Sequence, residues 1–352
     1  MSRRQIETAA ICTAMMAALL FRVPTGASVF SWSVRLIVET STILAVAVVI
    51  AMRVNLWVGA MLALAAVSAA AHWDVYAMIG RDGVLFGALW FSLIVIVRPN
   101  RDVVLSCLGA AALVNSVAMV VQWLGCDWWS IVSAGAWHTD AKSLPTGIMG
   151  GRNESGALMA MAYVAFIRPG RIRVFPLAVY SAGLILSFST APLAAVFLAM
   201  AWAMYVCKPR MWWIAIASLA AVLVAYAISV DKLPMLAITE RLRIWRVGAA
   251  MLDGSPLTGI GIGHWHAATR IDYAQSWIME WAVEMGVAFP VVAAGYLIDA
   301  ARRYRGDVLM GIALLIVMVG GLASYWLQHP VTAIAAVTIM GLYQSENGKI
   351  DD

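Results

Sequence analysis

Long apolar runs, separated by short polar or basic clusters, make up most of this 352-residue chain. A helix needs about twenty mostly apolar residues to cross a bilayer, and fewer where flanking side chains reach the interface. The pattern therefore predicts an all-α fold, a polytopic bundle of about twelve transmembrane helices. The predicted spans are Ile6–Phe21, Val34–Met52, Asn55–Ala71, Gly83–Val97, Val103–Leu124, Glu154–Ile167, Val174–Ser189, Ala191–Cys207, Met211–Val230, Ser276–Ile298, Val308–Leu327 and Val331–Tyr343.

Basic clusters between the apolar runs predict the orientation of the chain. Lys and Arg near the ends of a span are retained on the cytoplasmic side. All the clusters fall on that side if every predicted segment crosses once, and both termini are then cytoplasmic. This predicts a multi-pass protein of the bacterial inner membrane, surrounded by membrane lipids, whose first segment is not cleaved. The clusters are Arg3 and Arg4, Arg53, Arg98 and Arg101, Arg168, Arg171 and Arg173, Lys208 and Arg210, and Arg302, Arg303 and Arg305.

Two connections between the predicted spans are too long to be simple turns, residues 125–153 and residues 231–275. Both fall on the external side, and long loops are where function concentrates. The whole chain, residues 1–352, is predicted to form a single integral-membrane domain that includes these loops. Its polar tail, residues 344–352, is predicted to be disordered and cytoplasmic.

The composition agrees with a membrane protein and narrows the partners. Hydrophobic residues make up 63% of the chain and charged residues 12%, whereas a soluble domain carries roughly a quarter charged residues. The net charge of +5 is divided among short clusters instead of forming one basic face, so we exclude nucleic acid as a partner. The cysteines form no disulfide or metal-ligand pattern, and the external loops carry no metal or nucleotide motif. We therefore predict no metal and no cofactor.

The second long loop opens with a predicted amphipathic helix. Thr239 is expected to cap its start, and Gly254 and Pro256 are expected to end it. Its apolar face is predicted to consist of Leu242, Trp245, Ala249 and Leu252.

Three arginines on this helix, Arg241, Arg243 and Arg246, would lie at the outer membrane boundary, against the trend that keeps basic residues inside. The forked guanidinium group binds phosphate through two hydrogen bonds. We predict that these arginines bind the diphosphate of a polyprenyl carrier. The alternative is that they hold the helix to lipid headgroups.

Glycines alternate after the helix, at Gly259, Gly261 and Gly263. No strand precedes them, so the pattern does not indicate a dinucleotide site. It predicts a tight turn or a close approach of backbones. His264 and His266 follow, and an external histidine can act as a general base. The alternative for each is a structural role.

Charged residues at or inside the spans are the remaining candidates. Arg152 and Asn153 begin a span after the first long loop, where an arginine serves either as an anion clamp or as an anchor. Glu280 and Glu284 lie one helical turn apart, and Glu39 lies inside the second span. Carboxylates in hydrocarbon are costly, so we expect them to face a polar cavity or to pair with the external arginines.

Four stretches resemble motifs of the O-antigen ligase and polymerase superfamily, which also includes bacterial protein O-oligosaccharyltransferases. The family's Arg-x3-Trp helix and Pro-led glycine turn are matched by RLRIWRVGAAMLDGSPLTGIGIGHW, and its glycine-rich start of a span by GIMGGRNESG. Its motif ending in Glu-x-Gly is matched by AQSWIMEWAVEMG, and its Ser-Arg-small-small segment by LSFSTAPLAAV. The matching positions are Arg241, Trp245, Pro256, Gly259, Gly261, Gly147, Gly150, Asn153, Glu284 and Gly286.

Two positions depart from the family pattern. Gln275 stands where the family usually has an external histidine, and Thr190 where it usually has an arginine. An amide cannot act as a general base. Either His264, His266 or Asp272 substitutes for the histidine, or the reaction needs no strong base, or the protein is inactive. Gln275 is still able to hydrogen-bond an acceptor.

The resemblance implies a GT-C-like membrane glycosyltransferase. Its expected substrates are a glycan on undecaprenyl diphosphate and a hydroxyl acceptor on a glycan, lipid A core or another molecule, at the outer face of the inner membrane. Arg241 is expected to stabilise the leaving diphosphate with help from Arg152 or Arg246, and Glu284 to orient Arg241 or the acceptor. Polymerisation is favoured over ligation, because the missing histidine damages a ligase most. The alternatives are a secondary transporter or flippase that uses the three glutamates, and a catalytically inactive relative.

Overall fold

Helices account for every regular element in the described part of the chain, which confirms the all-α prediction. The predicted spans Val34–Met52 and Met211–Val230 lie outside the described residues, as do Glu39 and Gln275. The computed structural model describes residues 3–20, 56–72, 82–126, 145–149, 151–166, 174–187, 189–207, 235–271, 274, 276–303, 308–322, 324 and 330–347.

Most of the predicted spans that fall on described residues coincide closely with one helix each. A short 3-10 turn, Tyr163–Ala165, continues the fifth helix. The helices in chain order are α1 (Arg3–Leu20), α2 (Leu56–Ala71), α3 (Asp82–Val97), α4 (Arg101–Trp123), α5 (Arg152–Ala162), α6 (Val174–Leu186), α7 (Thr190–Cys207), α8 (Met235–Gly254), α9 (Trp265–Thr269), α10 (Trp277–Met285), α11 (Ala288–Arg303), α12 (Val308–Leu322) and α13 (Pro330–Asn347).

The predicted span Ser276–Ile298 is not one continuous helix, because the segment is broken into α10 and α11. Gly286, between the two helices, has a φ of 89°, and a helix cannot continue through a residue in this region. Its amide still donates to the carbonyl of Ala282 at 2.8 Å, which closes the last turn of α10. The prediction of a disordered tail from residue 344 is wrong for residues 344–347, since α13 continues to Asn347.

Helix α5 lies at the centre of the described helices. Every residue from Ser155 to Val164 is buried, and α5 packs against α4, α6, α7, α12 and α13. A helix that is buried on all sides is typical of a bundle core. The first turn of α5, which carries Arg152 and Asn153, is therefore held in place from several sides.

Helices α2 and α11 pack in opposite directions. Near the start of α2, the Trp57 ring lies against Gly295 in the second half of α11. Near the end of α2, the Ser68 hydroxyl donates to the backbone oxygen of Glu284 at 2.7 Å, just before α11 begins. Antiparallel packing is the relation expected of the third and tenth predicted spans. It brings the end of α2 to the start of α11.

Judged by length and composition alone, one helix in the described ranges, α4, is long and apolar enough to cross a bilayer. The number of about twelve spans stays a prediction. Shorter apolar helical segments are Gly59–Ser68, Pro176–Leu186, Ala191–Ala201, Leu309–Leu322 and Thr332–Tyr343.

Candidate functional site

Helix α8 carries Arg241, Arg243 and Arg246, the three arginines that are predicted to be external, and it starts earlier than predicted. It begins at Met235, so Thr239 lies inside the helix and does not cap it. The predicted apolar face is also partly wrong, because Leu242 and Ala249 are exposed. The buried side instead contains Ile244 and Gly248, with Arg241, Trp245, Met251 and Leu252 half-buried beside them.

Gly248 explains why the buried face of α8 is rotated from the prediction. A Cβ atom at this position would lie 3.2 Å from the Trp265 ring and 3.3 Å from a Val283 methyl group. The absent side chain lets α8 approach both residues closely. Ile244 joins Trp265 and Val283 in a small apolar cluster between α8, α9 and α10.

The alternating glycines form a turn that docks onto the C-terminal end of α10. The backbone amides of Ile260 and Gly261 donate to the carbonyls of Val283 and Glu284 at 2.8 Å and 3.0 Å. The last carbonyls of a helix have no partner within it, so this turn supplies the missing donors. The approach is close, because a Cβ at Gly259 would overlap the Glu284 backbone. The predicted tight turn and close backbone approach are confirmed.

Two buried carboxylates on α10 hold both ends of the segment 265–274. Glu284 Oε1 accepts from the backbone amide of Trp265 at 3.1 Å. Glu280 Oε2 accepts from the backbone amide of Ala274 at 2.8 Å. The Trp245 indole on α8 donates to the backbone oxygen of Ala274 at 3.0 Å. The two carboxylates are 2% and 0% exposed, so these hydrogen bonds fix the segment that follows His264 against α8 and α10.

We expect Glu284→Ala to lower the free energy of unfolding by about 1–3 kcal/mol, because it leaves the buried Trp265 amide without its acceptor. Glu284→Gln keeps an oxygen at the same place and should lose less. Thermal unfolding of the purified protein in detergent measures both. The exposed Glu240→Ala is the matched control. Equal melting temperatures for the wild type and the Glu284→Ala variant would contradict this role.

His264, one of the predicted bases, belongs to this docked turn. His264 is half-buried, and its Nδ1 lies 3.3 Å from the backbone oxygen of Ile262. His266 belongs to α9. Gln275 and Asp272 lie outside the described residues, but Gln275 is flanked by Ala274 and Ser276, which are both buried.

The three external arginines differ in their surroundings. Arg241 is half-buried, one turn before Trp245 and on the side of α8 that faces α10. Arg243 is exposed, and its Nε donates to Glu240 Oε2 at 3.0 Å. The Arg243 guanidinium lowers the pKa of Glu240, chiefly through this hydrogen bond. Arg246 is exposed. Arg241 is thus the least exposed of the three arginines.

The other glycine motif is held by two amides on α4. The backbone amide of Gly147 donates to Gln122 Oε1 at 2.8 Å, and that of Ile148 donates to Asn115 Oδ1 at 2.8 Å. Gly147 has a φ of 63°, and a Cβ there would overlap Asn115. Glycine is therefore required at this turn. Gly150 lies outside the described residues.

The start of α5 meets the start of α7. The Ser189 hydroxyl donates to Asn153 Oδ1 at 3.0 Å, and Thr190 is the first residue of α7. Gly156 allows α5 to pack against Pro192. Arg152 is exposed at the first turn of α5. The four motif stretches thus form two groups, one around α5 and α7 and the other around α8 and α10.

The sequence pattern did not single out several residues that hold these groups. Asn115 and Gln122 lie seven positions apart in an apolar span, and this spacing was the available signal. Ser68, in the last turn of α2, and His72, directly after α2, contact the second group. His72 Nε2 lies 3.4 Å from Thr258 Oγ1. Single polar residues at a span end carry little signal, because they are common there.

The comparisons with known proteins do not assign the chain to a family. No protein-family model matches it, and no characterised protein matches its sequence.

Proposed function

We propose that the chain is a membrane glycosyltransferase of the O-antigen ligase and polymerase type. It transfers or polymerises a glycan from an undecaprenyl-diphosphate carrier onto an acceptor hydroxyl at the outer face of the inner membrane. One observation carries the proposal: the arginine helix, the Pro-led glycine turn and the Glu-x-Gly stretch, which all lie between residues 235 and 286, pack into one unit around Glu284.

A membrane location is supported by the exposed faces of the helices. On the exposed side of α4, nearly all positions are apolar, whereas an exposed face of a helix in water carries charged residues. The same holds on α11, where Val291 and Ile298 are 70% and 52% exposed, and Val287, just before this helix, is 42% exposed. Such faces suit hydrocarbon. The exposed positions on α4 are Val103, Ser106, Ala110, Val114 and Val117, with Asp102 exposed in its first turn and Trp123 at its end.

Thiol labelling tests this location. The Val114 and Cys126 side chains are both exposed in the protein, but only Cys126 is predicted to lie outside the bilayer. A thiol must ionise in water to react. We expect a membrane-impermeant maleimide to label Cys126 in intact spheroplasts. A Val114→Cys variant without other cysteines should be labelled only after denaturation. Equal labelling of both positions would contradict the span.

The chemistry requires one bond to form and one to break. The acceptor oxygen bonds to the anomeric carbon of the glycan, the bond from that carbon to the carrier phosphate breaks, and the diphosphate leaves with the electron pair. The proton of the acceptor hydroxyl goes to a base. Stabilising the charge on the leaving diphosphate is the largest need. Arg241 supplies a half-buried guanidinium for it on α8, and Arg152, Asn153, Arg243 and Arg246 remain further candidates for that contact.

Within this class we favour chain polymerisation over ligation, because Gln275 occupies the position of the family histidine. Deletion of the gene in its source bacterium separates the two. A lost polymerase leaves lipopolysaccharide with single repeats on a gel, and a lost ligase leaves carrier-linked polymer that is not attached. Unchanged lipopolysaccharide and unchanged carrier-linked glycan would overturn the proposal.

Transport is the competing function. A secondary transporter needs carboxylates that exchange a proton or an ion. Glu280 and Glu284 instead accept backbone hydrogen bonds that hold a loop. A proton-driven movement of glycan in proteoliposomes, without a new glycosidic bond, would nevertheless replace our proposal with transport.

A further inference from the structure

Glu284 holds the loop of residues 261–265 at both ends. Its backbone oxygen accepts from the Gly261 amide at 3.0 Å, and its carboxylate Oε1 accepts from the Trp265 amide at 3.1 Å. Glu284 and Trp265 are 2% and 0% exposed, and hydrogen bonds away from water are stronger than those in water. One buried residue thus fixes both ends of the loop that contains His264, which is half-buried.

The same loop fixes the ring of His264. A Cβ atom at Gly261 would lie 2.8 Å from His264 Nδ1, so the imidazole occupies space that a side chain would fill. His264 Nδ1 lies 3.3 Å from the backbone oxygen of Ile262. A backbone oxygen can only accept, so Nδ1 carries a proton and donates it to this hydrogen bond. In the neutral ring, Nε2 therefore bears the lone pair.

These contacts give His264 the arrangement of an oriented base. A histidine base has one ring nitrogen held by a hydrogen bond, which leaves the other nitrogen to take the proton. The Ile262 oxygen holds Nδ1 of His264, and the half-buried side chain is still accessible to a bound molecule. Because Glu284 binds the amide of the next residue, Trp265, it acts on the position of this base through one peptide group.

Other titratable groups lie on the elements around this loop. His72 Nε2 lies 3.4 Å from Thr258 Oγ1, a hydroxyl that can donate or accept, so this contact does not set a tautomer. The Glu280 carboxylate accepts from a backbone amide of the following segment, and Arg241 is half-buried on α8. Of the two imidazoles, His264 is the one whose tautomer is determined by its contact.

We infer that His264 is the general base of the transfer and that Glu284 positions it through the Trp265 amide. This rests on the proposed function. As the acceptor oxygen bonds to the anomeric carbon, its proton passes to His264 Nε2, and the carrier diphosphate leaves with the electron pair of the broken bond. Glu284 needs only an oxygen that accepts a hydrogen bond for this role, and no negative charge. His264 would thus perform the step that Gln275 cannot perform.

The first test removes the base from the full-length protein, in proteoliposomes with carrier-linked glycan extracted from the deletion strain. His264→Gln keeps an amide that can donate to the Ile262 oxygen but cannot take a proton. We expect its kcat to fall by at least about 100-fold, the lower end of what a general base contributes, with little change in KM. The wild-type kcat should rise with pH through the range in which imidazoles titrate, because a protonated base is inactive. This rise should vanish in His264→Gln and persist in His72→Gln, the control for an imidazole against the same turn.

The second test separates the accepting oxygen of Glu284 from its charge. Glu284→Gln can still accept from the Trp265 amide, so its kcat should stay close to the wild-type value. Glu284→Ala removes the acceptor and should lower kcat about 100-fold, as expected for a displaced catalytic group. In the His264→Gln background, Glu284→Ala should lower kcat no further, because the two residues act on the same step.

The outcomes separate this inference from the proposed function. Full activity of His264→Gln, with the rise with pH intact, would overturn the inference and leave the transferase standing. A Glu284→Gln variant that melts like the wild type but lacks activity would overturn the positioning role, because the charge would then matter. This variant decides the point even if Glu284→Ala does not fold. Additive losses in the double variant would also overturn that role. Absence of any transfer by the wild type would overturn both proposals.

Discussion

Replacing Gly286 by alanine is expected to separate the glycine turn from α10 and to abolish most activity. Gly286 has a φ of 89°, a region that costs an L-residue about 1–2 kcal/mol. An added Cβ would also overlap the Leu257 backbone oxygen, and overpacking costs about 1–3 kcal/mol more. We expect a loss of roughly 3 kcal/mol in the free energy of unfolding. Displacement of the turn that carries His264 should lower glycan transfer about 100-fold.

Gly254 provides the matched control for this substitution. It lies at the end of α8, close to the same turn, and a Cβ there would meet nothing within 4 Å. Gly254→Ala should therefore unfold and react like the wild type. Thermal unfolding in detergent and the transfer assay are run on both variants. If Gly286→Ala matched Gly254→Ala in both measurements, the turn would not depend on its contact with α10.

Replacing Arg241 by alanine is expected to lower kcat by about 10²–10³-fold, the usual cost of removing one group that stabilises developing charge. Arg241 is the half-buried arginine on the side of α8 that faces α10. Arg241→Lys should recover only part of the loss, because an ammonium group cannot form the two parallel hydrogen bonds of a guanidinium. Initial rates of glycan transfer in proteoliposomes measure both variants.

Arg243 supplies the control for charge alone. It is exposed and already bonded to Glu240, so Arg243→Ala should change kcat by no more than about threefold, as expected for an exposed pair. Arg246→Ala is expected to fall between the two. Equal losses in all three alanine variants would mean that the arginines only hold the helix to anionic headgroups.

The sequence predicted the helices well where a long apolar run decides the structure. The first residues of α2 and α3 each differ from the prediction by one position, because each helix begins where the apolar run begins. The break at Gly286 was not predicted, since the flanking Met285 and Val287 continue the apolar run. Hydropathy does not register a positive φ, which here depends on a contact with Leu257, distant in sequence.

The candidate site was predicted in part, and the features that were missed depend on contacts between side chains and backbone that residue types do not reveal. The glycine turn and the carboxylates on α10 were found from their residue types. Their contacts were not, because Glu284 binds the Trp265 backbone and no pattern marks a backbone donor. The buried face of α8 was predicted wrongly because Gly248 lies on it. A glycine gives no hydrophobic signal in the sequence, yet its lack of a side chain lets α8 pack closely against Trp265 and Val283. His72 was missed because its partner, Thr258, lies far along the chain.

The central claim is that glycan transfer from the carrier releases its diphosphate. The most direct test incubates the purified protein in proteoliposomes with carrier-linked glycan from the deletion strain and counts both products by mass spectrometry. The account predicts one released undecaprenyl diphosphate for every new glycosidic bond, in the absence of any added nucleotide or metal. Glycan that crosses the bilayer with no new bond and no released carrier diphosphate would contradict it.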